Sequence, residues 1–472
     1  MKIKLIVLAL FCLIQLNVSA QTWLKLSCGT EFSVALRSDS TLWAWGANMN
    51  GQLGIGSLTT AVSPVQIGTE HMWKDIVAGA IHCLAIKSDG TLWAWGLNGN
   101  GQLGNGNNVN SSSPVQIGIA TNWAKIYAGQ AHSFAIKTDG SLWAWGHNYY
   151  GQLGDSSNIE KNFPVQIGSE TNWKDLSGGG FHTLAIKTNG TLWAWGYNGE
   201  GELGDSTTTN DSIPKQIGTD TNWSTVAAGT MYSLGLKADG SILAWGFNGN
   251  GQLGIGGNTK LSKSTMEIQP VMIGEAYDWK SIAAASSFAF AIKNDSSLWG
   301  WGFNYYGQLG NGNSTQVDYP VKSGTENNWK NIAASTGFLY NGGVYGMHSM
   351  GLKYQHNGIC VSGANYTGQL GNGSLINMLQ FDCSIGMLGV SEITINTVQR
   401  LYPNPAKDFI TIETSVEEFQ LSIINSVGQT VLQKHCTTSQ QTIDIQNYPQ
   451  GMYYYKLVSD KGKVISGKFV KE

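Results

Sequence analysis

The sequence Leu92-Trp93-Ala94-Trp95-Gly96 decides the fold, because it recurs along the chain together with a second string, Gly101-Gln102-Leu103-Gly104. The first string ends at Gly46, Gly96, Gly146 and Gly196, and altered copies end at Gly246, Gly302 and Gly363. The second string begins at Gly51, Gly101, Gly151, Gly251, Gly307 and Gly368, with a Glu202 variant that begins at Gly201. Seven copies of one unit of about 50 residues therefore fill the chain from residue 22 to residue 386.

Each copy contains four segments with the character of short strands. In the second copy these segments are Trp73 to Ala78, His82 to Lys87, Thr91 to Trp95 and Val115 to Ile117. Ser88-Asp89-Gly90 predicts a tight turn between the second and third strands. Because side chains alternate along a strand, Leu92 and Ala94 are expected on one face and Trp93 and Trp95 on the other. No segment shows a helical period of useful length.

A unit of this size cannot bury both of its faces alone, so neighbouring copies must stack. A closed ring and a linear solenoid both satisfy this requirement. A solenoid needs polar capping repeats, but the first copy, which starts at Trp23, is as rich in Trp as the middle copies. The sequence therefore predicts an all-β protein with a seven-bladed β-propeller of four-stranded blades in residues 21–386. Residues 21–28 are expected to complete the ring beside the seventh copy.

The repeat also carries a family resemblance. The string Trp-x-Trp-Gly-x-Asn-x-x-Gly-Gln-Leu-Gly, preceded by Ala-Gly-x-x-His-x-x-Ala-Ile-Lys-x-Asp-Gly, resembles the regulator of chromosome condensation repeat over residues 22–386. The resemblance implies a seven-bladed scaffold that binds other macromolecules. Some relatives drive nucleotide exchange on a small nuclear GTPase, and a bacterial relative inhibits a secreted hydrolase. The exchange function is not expected here, because no residue matches an exchange site by motif.

The N-terminus predicts export from the cytoplasm. Residues 1–20 have the three parts of a signal peptide, which are a basic start with Lys2 and Lys4, an apolar stretch from Leu5 to Leu16, and the small residues Val18-Ser19-Ala20. No later stretch is apolar and long enough to span a bilayer. Five cysteines follow the signal peptide, an odd number without metal-ligand spacing. We expect buried thiols with one bridge, such as Cys360 to Cys383.

The composition changes at the C-terminus, after a predicted linker at residues 387–399. Residues 400–472 lack Trp and contain six or seven strand-like segments, which predict a small β-sandwich. This tail resembles the C-terminal sorting domain of type IX secretion, on the residues Tyr402, Pro403, Asn404, Pro405, Gly428, Gly451, Tyr453, Lys468, Phe469 and Val470. The resemblance implies recognition by the type IX machinery and delivery to the medium or the bacterial outer cell surface. An ordinary adhesive β-sandwich is the alternative.

Composition excludes several classes of function. Residues 21–390 hold 18 Lys and Arg against 23 Asp and Glu, so no basic surface for nucleic acid is expected. The recurring histidines share one repeat position with Phe and Tyr, which favours packed imidazoles over a metal or catalytic site; they are His82, His132, His182 and His348. Asp155, Glu200 and Glu202 come nearest to a carboxylate cluster. The prediction is a protein without enzymatic activity, cofactor or metal.

The differences between the copies predict a binding face. In a four-stranded meander the turns after strands one and three emerge on one face of the ring, and these turns carry nearly all the variation between copies. They also contain both insertions, six extra residues between Gly254 and Pro270 and ten between Trp329 and His348. Their aromatic residues are the predicted partner contacts, namely Tyr149, Tyr150, Tyr197, Phe303, Tyr305, Tyr306, Phe338, Tyr340, Tyr345 and Tyr366. For the inserted loop 335–346, the alternative is a plug over the central channel or a cover on the seventh blade.

Together these features predict a secreted or surface-attached, monomeric binding protein whose face recognises an extracellular protein. A glycan is the alternative ligand, because Tyr and Asn side chains can stack on sugars and hydrogen-bond to them. A carbohydrate-active enzyme is the third class, disfavoured by the absence of clustered carboxylates in the varying turns.

Overall fold

A computed structural model of the chain describes residues 21–256, 265–337, 339–340, 343–344, 347–385, 400–414, 418–425, 429–459 and 464–472. The chain divides into two compact units, Met1–Leu388 and Gly389–Glu472. The predicted signal peptide and the predicted linker, residues 387–399, lie outside the described residues. Within the described ranges, all regular secondary structure is β-strand.

The first unit is built from seven four-stranded antiparallel sheets, each a meander in chain order. Blade one consists of β1 (Trp23–Cys28), β2 (Phe32–Arg37), β3 (Leu42–Gly46) and β4 (Ala61–Gln66). Blade two consists of β5 (Trp73–Ala78), β6 (His82–Lys87), β7 (Leu92–Gly96) and β8 (Ser111–Gln116). Blade three consists of β9 (Trp123–Ala128), β10 (His132–Lys137), β11 (Leu142–Gly146) and β12 (Lys161–Gln166). Blade four consists of β13 (Trp173–Gly178), β14 (His182–Lys187), β15 (Leu192–Gly196) and β16 (Asp211–Ile217).

The remaining three blades repeat this plan and confirm the predicted seven-bladed propeller. Blade five consists of β17 (Trp223–Ala228), β18 (Tyr232–Lys237), β19 (Ile242–Phe247) and β20 (Met266–Met272). Blade six consists of β21 (Trp279–Ala284), β22 (Phe288–Lys293), β23 (Leu298–Gly302) and β24 (Val317–Lys322). Blade seven consists of β25 (Trp329–Ala334), β28 (His348–Lys353), β29 (Ile359–Gly363) and β30 (Met378–Ile385), with a two-residue hairpin, β26 (Leu339–Tyr340) and β27 (Gly343–Val344), inside its first connection.

Side chains of the third strand point alternately to its two faces, so each blade packs against both of its neighbours. In blade two, Trp95 belongs to a core shared with blade one, whereas Leu92 and Ala94 belong to a core shared with blade three, as the sequence predicted. The Trp95 indole N–H donates to the Gln52 carbonyl at 3.0 Å. Gly54 has a positive φ, and a Cβ there would lie 2.7 Å from the Trp95 Nε1. The last Gly of the Gly-Gln-Leu-Gly string therefore makes room for the Trp of the next blade.

The fourth strands are longer than predicted. We expected Val115 to Ile117, but β8 begins at Ser111, where it pairs with Gly96 after a bulge. This end of the strand is polar and half-exposed, so it carries no hydrophobic alternation that sequence reasoning could detect. Pro114 is tolerated because the fourth strand is the edge of its sheet.

The ring closes between blades one and seven. β1 pairs with β2 inside blade one, and its Trp23 and Leu26 share a core with Met350 and Val361 of blade seven. The N-terminal strand therefore lies beside the last copy, as predicted, and closure depends on packing between sheets without exchange of a strand. The predicted bridge between Cys360 and Cys383 is present and joins β29 to β30.

The second unit contains two sheets. Its strands are β31 (Arg400–Tyr402), β32 (Phe409–Glu413), β33 (Phe419–Asn425), β34 (Thr430–Cys436), β35 (Gln440–Asp444), β36 (Gly451–Ser459) and β37 (Val464–Lys471). One sheet has the order β31-β32-β35 and the other β34-β33-β36-β37. Ile410 and Ile443 of the first sheet share one core with Leu421, Tyr455 and Phe469 of the second, which is the predicted sandwich.

Candidate functional site

The turns that vary between copies share one face of the propeller. In blade two, His82 at the start of the second strand pairs with Gly96 at the end of the third, so the turns on either side emerge together. We call this surface the variable face. It comprises the turns 29–31, 79–81, 129–131, 179–181, 229–231, 285–287 and 335–337, and the loops 47–60, 97–110, 147–160, 197–210, 247–256, 303–316 and 364–377.

Buried amides give the long loops a fixed backbone. In blade three, the Asn148 Oδ1 accepts from the Leu153 N–H at 3.0 Å, while its Nδ2 donates to the Ile159 carbonyl at 3.1 Å. The Gln152 Oε1 accepts from the Tyr150 N–H at 3.0 Å. Asn148 and Gln152 are both fully buried. The loop shape therefore does not depend on the residue at 149, which is free to vary and points outward.

A first aromatic cluster lies across blades three and four. Its members are His147, Tyr149, Tyr150, Phe181 and Tyr197. The Tyr150 ring centroid lies 4.9 Å from both Tyr149 and Tyr197 and 5.3 Å from Phe181. Tyr149 is 67% exposed, and the other rings are half-buried. Edge-to-face contacts of this kind hold the rings in place and leave Tyr149 available to a ligand.

A second aromatic cluster lies across blades six and seven. Its members are Phe303, Tyr305, Tyr306 and Tyr366. Phe303 and Tyr305 are stacked with centroids 6.4 Å apart, Tyr305 meets Tyr306 at 5.2 Å, and Tyr306 meets Tyr366 at 5.8 Å. Tyr305 is 69% exposed. Because Tyr305 follows Asn304 as Tyr149 follows Asn148, the two clusters occupy equivalent loop positions.

The structure thus groups most of the predicted partner-binding residues into two clusters and leaves the rest undescribed. Phe338 and Tyr345 lie outside the described residues, and for Tyr340 the structure describes only the strand β26. Phe181 was missed from the sequence. It stands in the turn after the first strand, where the other copies have Glu31, Ile81, Ala131, Met231, Ser287 and Met347. That variability is the signal that could have revealed it.

The described part of the variable face has few charges, and all of them are negative. None of its described residues is Lys or Arg. Asp155 accepts from Lys161 at 3.2 Å, and Asp205 accepts from Lys215 at 2.7 Å. Both lysines belong to the adjoining fourth strands, so these carboxylates are already neutralised.

Glu202 is a buried carboxyl beneath this face. It stands where the other six copies have Gln, and its Oε2 accepts from the Glu200 N–H at 2.9 Å. Burial raises the pKa of Glu202 to about 8. Its Oε1 is buried without a hydrogen-bond partner among the described residues. A neutral carboxylic acid therefore replaces the recurrent amide, and the structure does not join Glu202 to Asp155 in an acid–base pair.

The recurring histidines are packed between blades, as predicted. The His82 Nε2 lies 2.9 Å from the Ser133 Oγ of the next blade, and His182 makes the equivalent contact with Ser233 at 3.0 Å. Burial lowers the pKa of His82 and His182 to about 3. His132 has no hydrogen-bond partner for either ring nitrogen within the described part of the chain. In that same part, no group of three or more His, Cys, Asp or Glu side chains could hold a metal ion.

The start of the inserted loop 335–346 lies over the central channel. The turns after the first strands are linked around the axis, as when the Thr30 N–H donates to the Ala80 carbonyl at 2.9 Å. The Thr30 hydroxyl donates to the Thr336 carbonyl at 2.9 Å, and the Gly337 carbonyl accepts from the side chains of Gln130 and Thr230. These contacts from blades one, three and five favour the plug interpretation for residues 336–337.

Two parts of the predicted sorting motif come together in the second unit. The Asn404 Oδ1 accepts from the Val470 N–H at 2.9 Å, across 66 residues of sequence. Tyr453 stacks on Phe469 with centroids 5.4 Å apart. Tyr402–Pro403 and Asn404–Pro405 are cis peptide bonds. Gly428 lies outside the described residues.

Comparison with solved structures agrees with this architecture. Human WBSCR16 aligns with a TM-score of 0.62 and 19% identity, over 72% of this chain and 93% of that chain. Prp20p from Saccharomyces cerevisiae, described with binding properties to Gsp1p and histones, aligns with a TM-score of 0.61 and 21% identity, over 71% of this chain and 83% of that chain. At these identities the likeness shows the fold alone.

Sequence comparison identifies both units. A secretion system C-terminal sorting domain matches residues 400–472, which indicates type IX secretion to the cell surface or the extracellular space. Beta-agarase A of Zobellia galactanivorans is 36% identical over 76 residues, and this chain spans only 14% of its length. Among the described residues, no helix has the length and apolarity to cross a membrane.

The propeller matches a further set of family descriptions. Regulator of chromosome condensation repeats match residues 295–339 and 279–308. An RCC1-like domain matches residues 13–276, more than half of the chain. The chain therefore belongs to the family of RCC1-like domain proteins.

Proposed function

We propose that this protein is an extracellular binding protein, delivered by its sorting tail, whose variable face recognises a macromolecular partner. The observation that carries the proposal is the pair of aromatic clusters at equivalent loop positions, each with one ring more than two-thirds exposed. Exposed aromatic side chains on rigid loops are a common means of gaining contact area at small entropic cost. The outward positions of Tyr149 and Tyr305 contribute nothing to the core, so a structural role does not account for them.

A binding role also fits the family and the chemistry of the face. RCC1-like propellers are typically binding or exchange-factor proteins without catalytic activity. Asp155 is held by Asn148 of its own loop and by Lys161 of β12, and Glu202 is buried. Neither is placed as the pair of accessible carboxylates that glycoside hydrolysis requires. The sequence favours a protein as the ligand, with a glycan as the alternative.

Affinity capture with the full-length secreted protein tests the proposal. The immobilised wild type and a Tyr149→Ala/Tyr305→Ala variant are incubated with envelope extract and spent medium from the producing bacterium. Bound material is analysed by mass spectrometry and by monosaccharide composition. Tyr277→Ala is the matched control, because Tyr277 is 60% exposed and lies in the connection between blades five and six on the opposite face.

The wild type and the control should retain the same material, and the double variant should lose it. Retention of identical material by all three proteins, or of none, would remove the variable face as the binding surface. Circular dichroism spectra and melting temperatures that match the wild type would show that the variants are folded.

A further inference from the structure

The chemistry of the variable face narrows the class of ligand, on the assumption that the proposed function is correct. A surface that binds anions must present Lys, Arg or free backbone N–H groups. The described part of the face has no Lys or Arg, and its remaining acidic groups would repel an anionic polymer. Among the described residues, nucleic acids, sulfated or uronic polysaccharides and phosphate-bearing lipids would therefore meet no cationic side chain. Lys260 and Lys263 belong to the connection between β19 and β20 but lie outside the described residues. Asp155 and Asp205 already pair with lysines and Glu202 is buried, so a cationic ligand would meet only Glu31, Glu160 and Glu200 among the described acidic groups.

The polar groups that remain are amides and hydroxyls. The loops around the clusters are rich in Asn, and exposed examples lie beside the tyrosines. The Asn158 Nδ2 donates to the Tyr149 carbonyl at 2.8 Å, and the side chain of this exposed residue also carries an acceptor oxygen. The Asn100 Nδ2 donates to Glu160 at 2.7 Å on the neighbouring loop. Uncharged amides, hydroxyls and aromatic rings suit a ligand with many hydroxyl groups and no charge.

A protein partner fits these features less well. Hot spots of protein interfaces combine aromatic anchors with Arg and with well-packed pockets. Arg37 is the one arginine in residues 21–390 and belongs to β2, where its guanidinium lies over the Trp23 and Trp43 rings. The exposed rings of Tyr149 and Tyr305 project as separate platforms. Flat rings of this kind can pack against the apolar C–H face of a pyranose, while its hydroxyl groups reach the amides beside it.

The position of the two clusters suggests how a polymer would be recognised. The first cluster spans blades three and four, and the second spans blades six and seven, so the two lie three blades apart on a ring of seven. They therefore face the same way on nearly opposite sides of the channel mouth. A polymer with identical repeating units can engage both platforms, whereas a short oligomer can engage one. Two linked contacts raise the apparent affinity far above that of either alone.

We propose that the variable face is a two-site platform for an uncharged, repeating polysaccharide, with Tyr149 and Tyr305 as the stacking residue of each site. Cluster one would bind one segment of the polymer and cluster two a second segment. The loops that carry them are held by buried Asn and Gln side chains, so both sites exist before the ligand arrives.

Native affinity electrophoresis of the full-length protein tests this assignment. The neutral gels contain hydroxyethyl-cellulose, xylan, glucomannan, laminarin or agarose, and the anionic gels contain carboxymethyl-cellulose, alginate or κ-carrageenan. We expect retardation in at least one neutral gel and in none of the anionic gels. Tyr149→Ala and Tyr305→Ala should each weaken binding to that polymer about 10–100-fold. Tyr149→Phe and Tyr305→Phe should retain most of it, because stacking requires the ring and not the hydroxyl.

A short oligosaccharide of the same polymer separates the two sites. By calorimetry the wild type should bind two oligosaccharides, and each single alanine variant should bind one with unchanged affinity. Tyr277→Ala should match the wild type in both measurements. If one single variant abolishes all binding and the other has no effect, the two-site assignment is wrong.

The remaining outcomes distinguish this inference from the proposed function. Absence of retardation in every neutral gel overturns the polysaccharide assignment. If a captured protein is lost with Tyr149→Ala/Tyr305→Ala at the same time, the variable face still binds, and its ligand is a protein. If neither a polymer nor a captured protein depends on these tyrosines, both the assignment and the proposed function fail.

Discussion

The two faces of the propeller use the same repeat in opposite ways. On the variable face, Asn and Gln side chains are buried and the residues outside them change from copy to copy. On the other face, formed by the turns after strands two and four and here called the uniform face, the exposed turns themselves repeat. The Asp89 carboxylate accepts from the Thr91 N–H at 3.0 Å and from the Thr91 hydroxyl at 2.7 Å, and the Trp93 indole donates to that hydroxyl at 2.9 Å. Blades three and six repeat this chain of contacts.

The uniform face also contains a recurring cation between two indoles. The Lys187 Nζ lies 4.7 Å from the Trp173 centroid and 3.4 Å from the Trp193 centroid, and 2.6 Å from the Glu170 Oε2. Side chains here hold strands together, so their identity is constrained by stability. On the variable face, buried Asn and Gln side chains hold the loops in place, so the exposed positions are free to bind a partner.

Removal of an indole between blades should have the largest effect on stability. Trp195 is fully buried, and its N–H donates to the Gln152 carbonyl of blade three at 2.9 Å. We expect Trp195→Ala to lower the free energy of unfolding by about 3–5 kcal/mol, because it leaves a cavity and an unpaired carbonyl. Thermal and urea denaturation measure this loss. Tyr149→Ala, on the variable face, is the comparison and should change stability by less than about 0.5 kcal/mol. Equal losses for the two variants would contradict the division of roles between the faces.

The next effect should grow as pH rises. Glu202 has a pKa of about 8 in the folded chain against an ordinary value of 4.5, so the unfolded state ionises first. The stability of the wild type should therefore fall as pH rises from about 4.5 to about 8. Glu202→Gln removes this dependence and should be more stable than the wild type at pH 9 by a few kcal/mol, with little difference near pH 4.5.

Urea denaturation at pH 5, 7 and 9 measures the difference between the two proteins. The control is Glu200→Gln, since Glu200 lies on the same loop but is only half-buried. A difference between wild type and Glu202→Gln that does not grow with pH would show that the carboxyl is hydrated or paired in solution.

The histidines should act in the opposite direction. His132 is fully buried, and burial holds its pKa well below the ordinary value of 6.5. In this case the unfolded state takes up the proton, so stability is fully present above about pH 6.5 and is lost as pH falls. Phe occupies the same position in blades one and six. We expect His132→Phe to be more stable than the wild type at pH 5 by about 1–3 kcal/mol, with a smaller gain at pH 7.

Melting temperatures at pH 5 and pH 7 test this expectation. The control is His71→Phe, which changes an exposed histidine. Loss of stability in His132→Phe at both pH values would show that the ring nitrogens find partners in solution.

Most of the fold could be predicted from the sequence, because the pattern of each strand occurs in seven copies. The first and second strands of blade two match their predicted bounds, and the side assignment of Leu92 and Trp95 was correct. The fourth strand was placed too late, since an edge strand with a polar start lacks the alternation that marks a buried one. The tight interior of the ring, with Gly54 beneath Trp95, explains why the glycines recur.

The candidate site could be predicted only in part. Variation between copies identified Tyr149 and Tyr305, because an outward residue on a fixed loop can change freely. It did not show that Tyr150 would join Phe181 of the next blade, since that contact depends on how neighbouring blades stack. The hydrogen bond between Thr30 and Thr336 across the channel could not be predicted either, because it joins residues 306 positions apart.

The smallest expected loss of stability concerns the cation between the indoles. Lys187→Met keeps the length and apolar stem of the side chain and removes only the charge, so the change reports the attraction of the ammonium to Trp173, Trp193 and Glu170. We expect a loss of about 1–2 kcal/mol, at the upper end for a cation–π contact because the Lys187 side chain is 3% exposed. Lys174→Met, at an exposed position in β13, is the matched control and should lie within about 0.5 kcal/mol of the wild type. Because the ammonium is shielded from solvent between the rings, the loss should persist in 1 M salt, roughly the concentration at which exposed ion pairs are fully screened. A loss that disappears in salt would mean that the half-exposed Glu170, and not the indoles, holds the lysine. The recurring Trp pairs of the uniform face would then contribute less to stability than their distances to the lysine indicate.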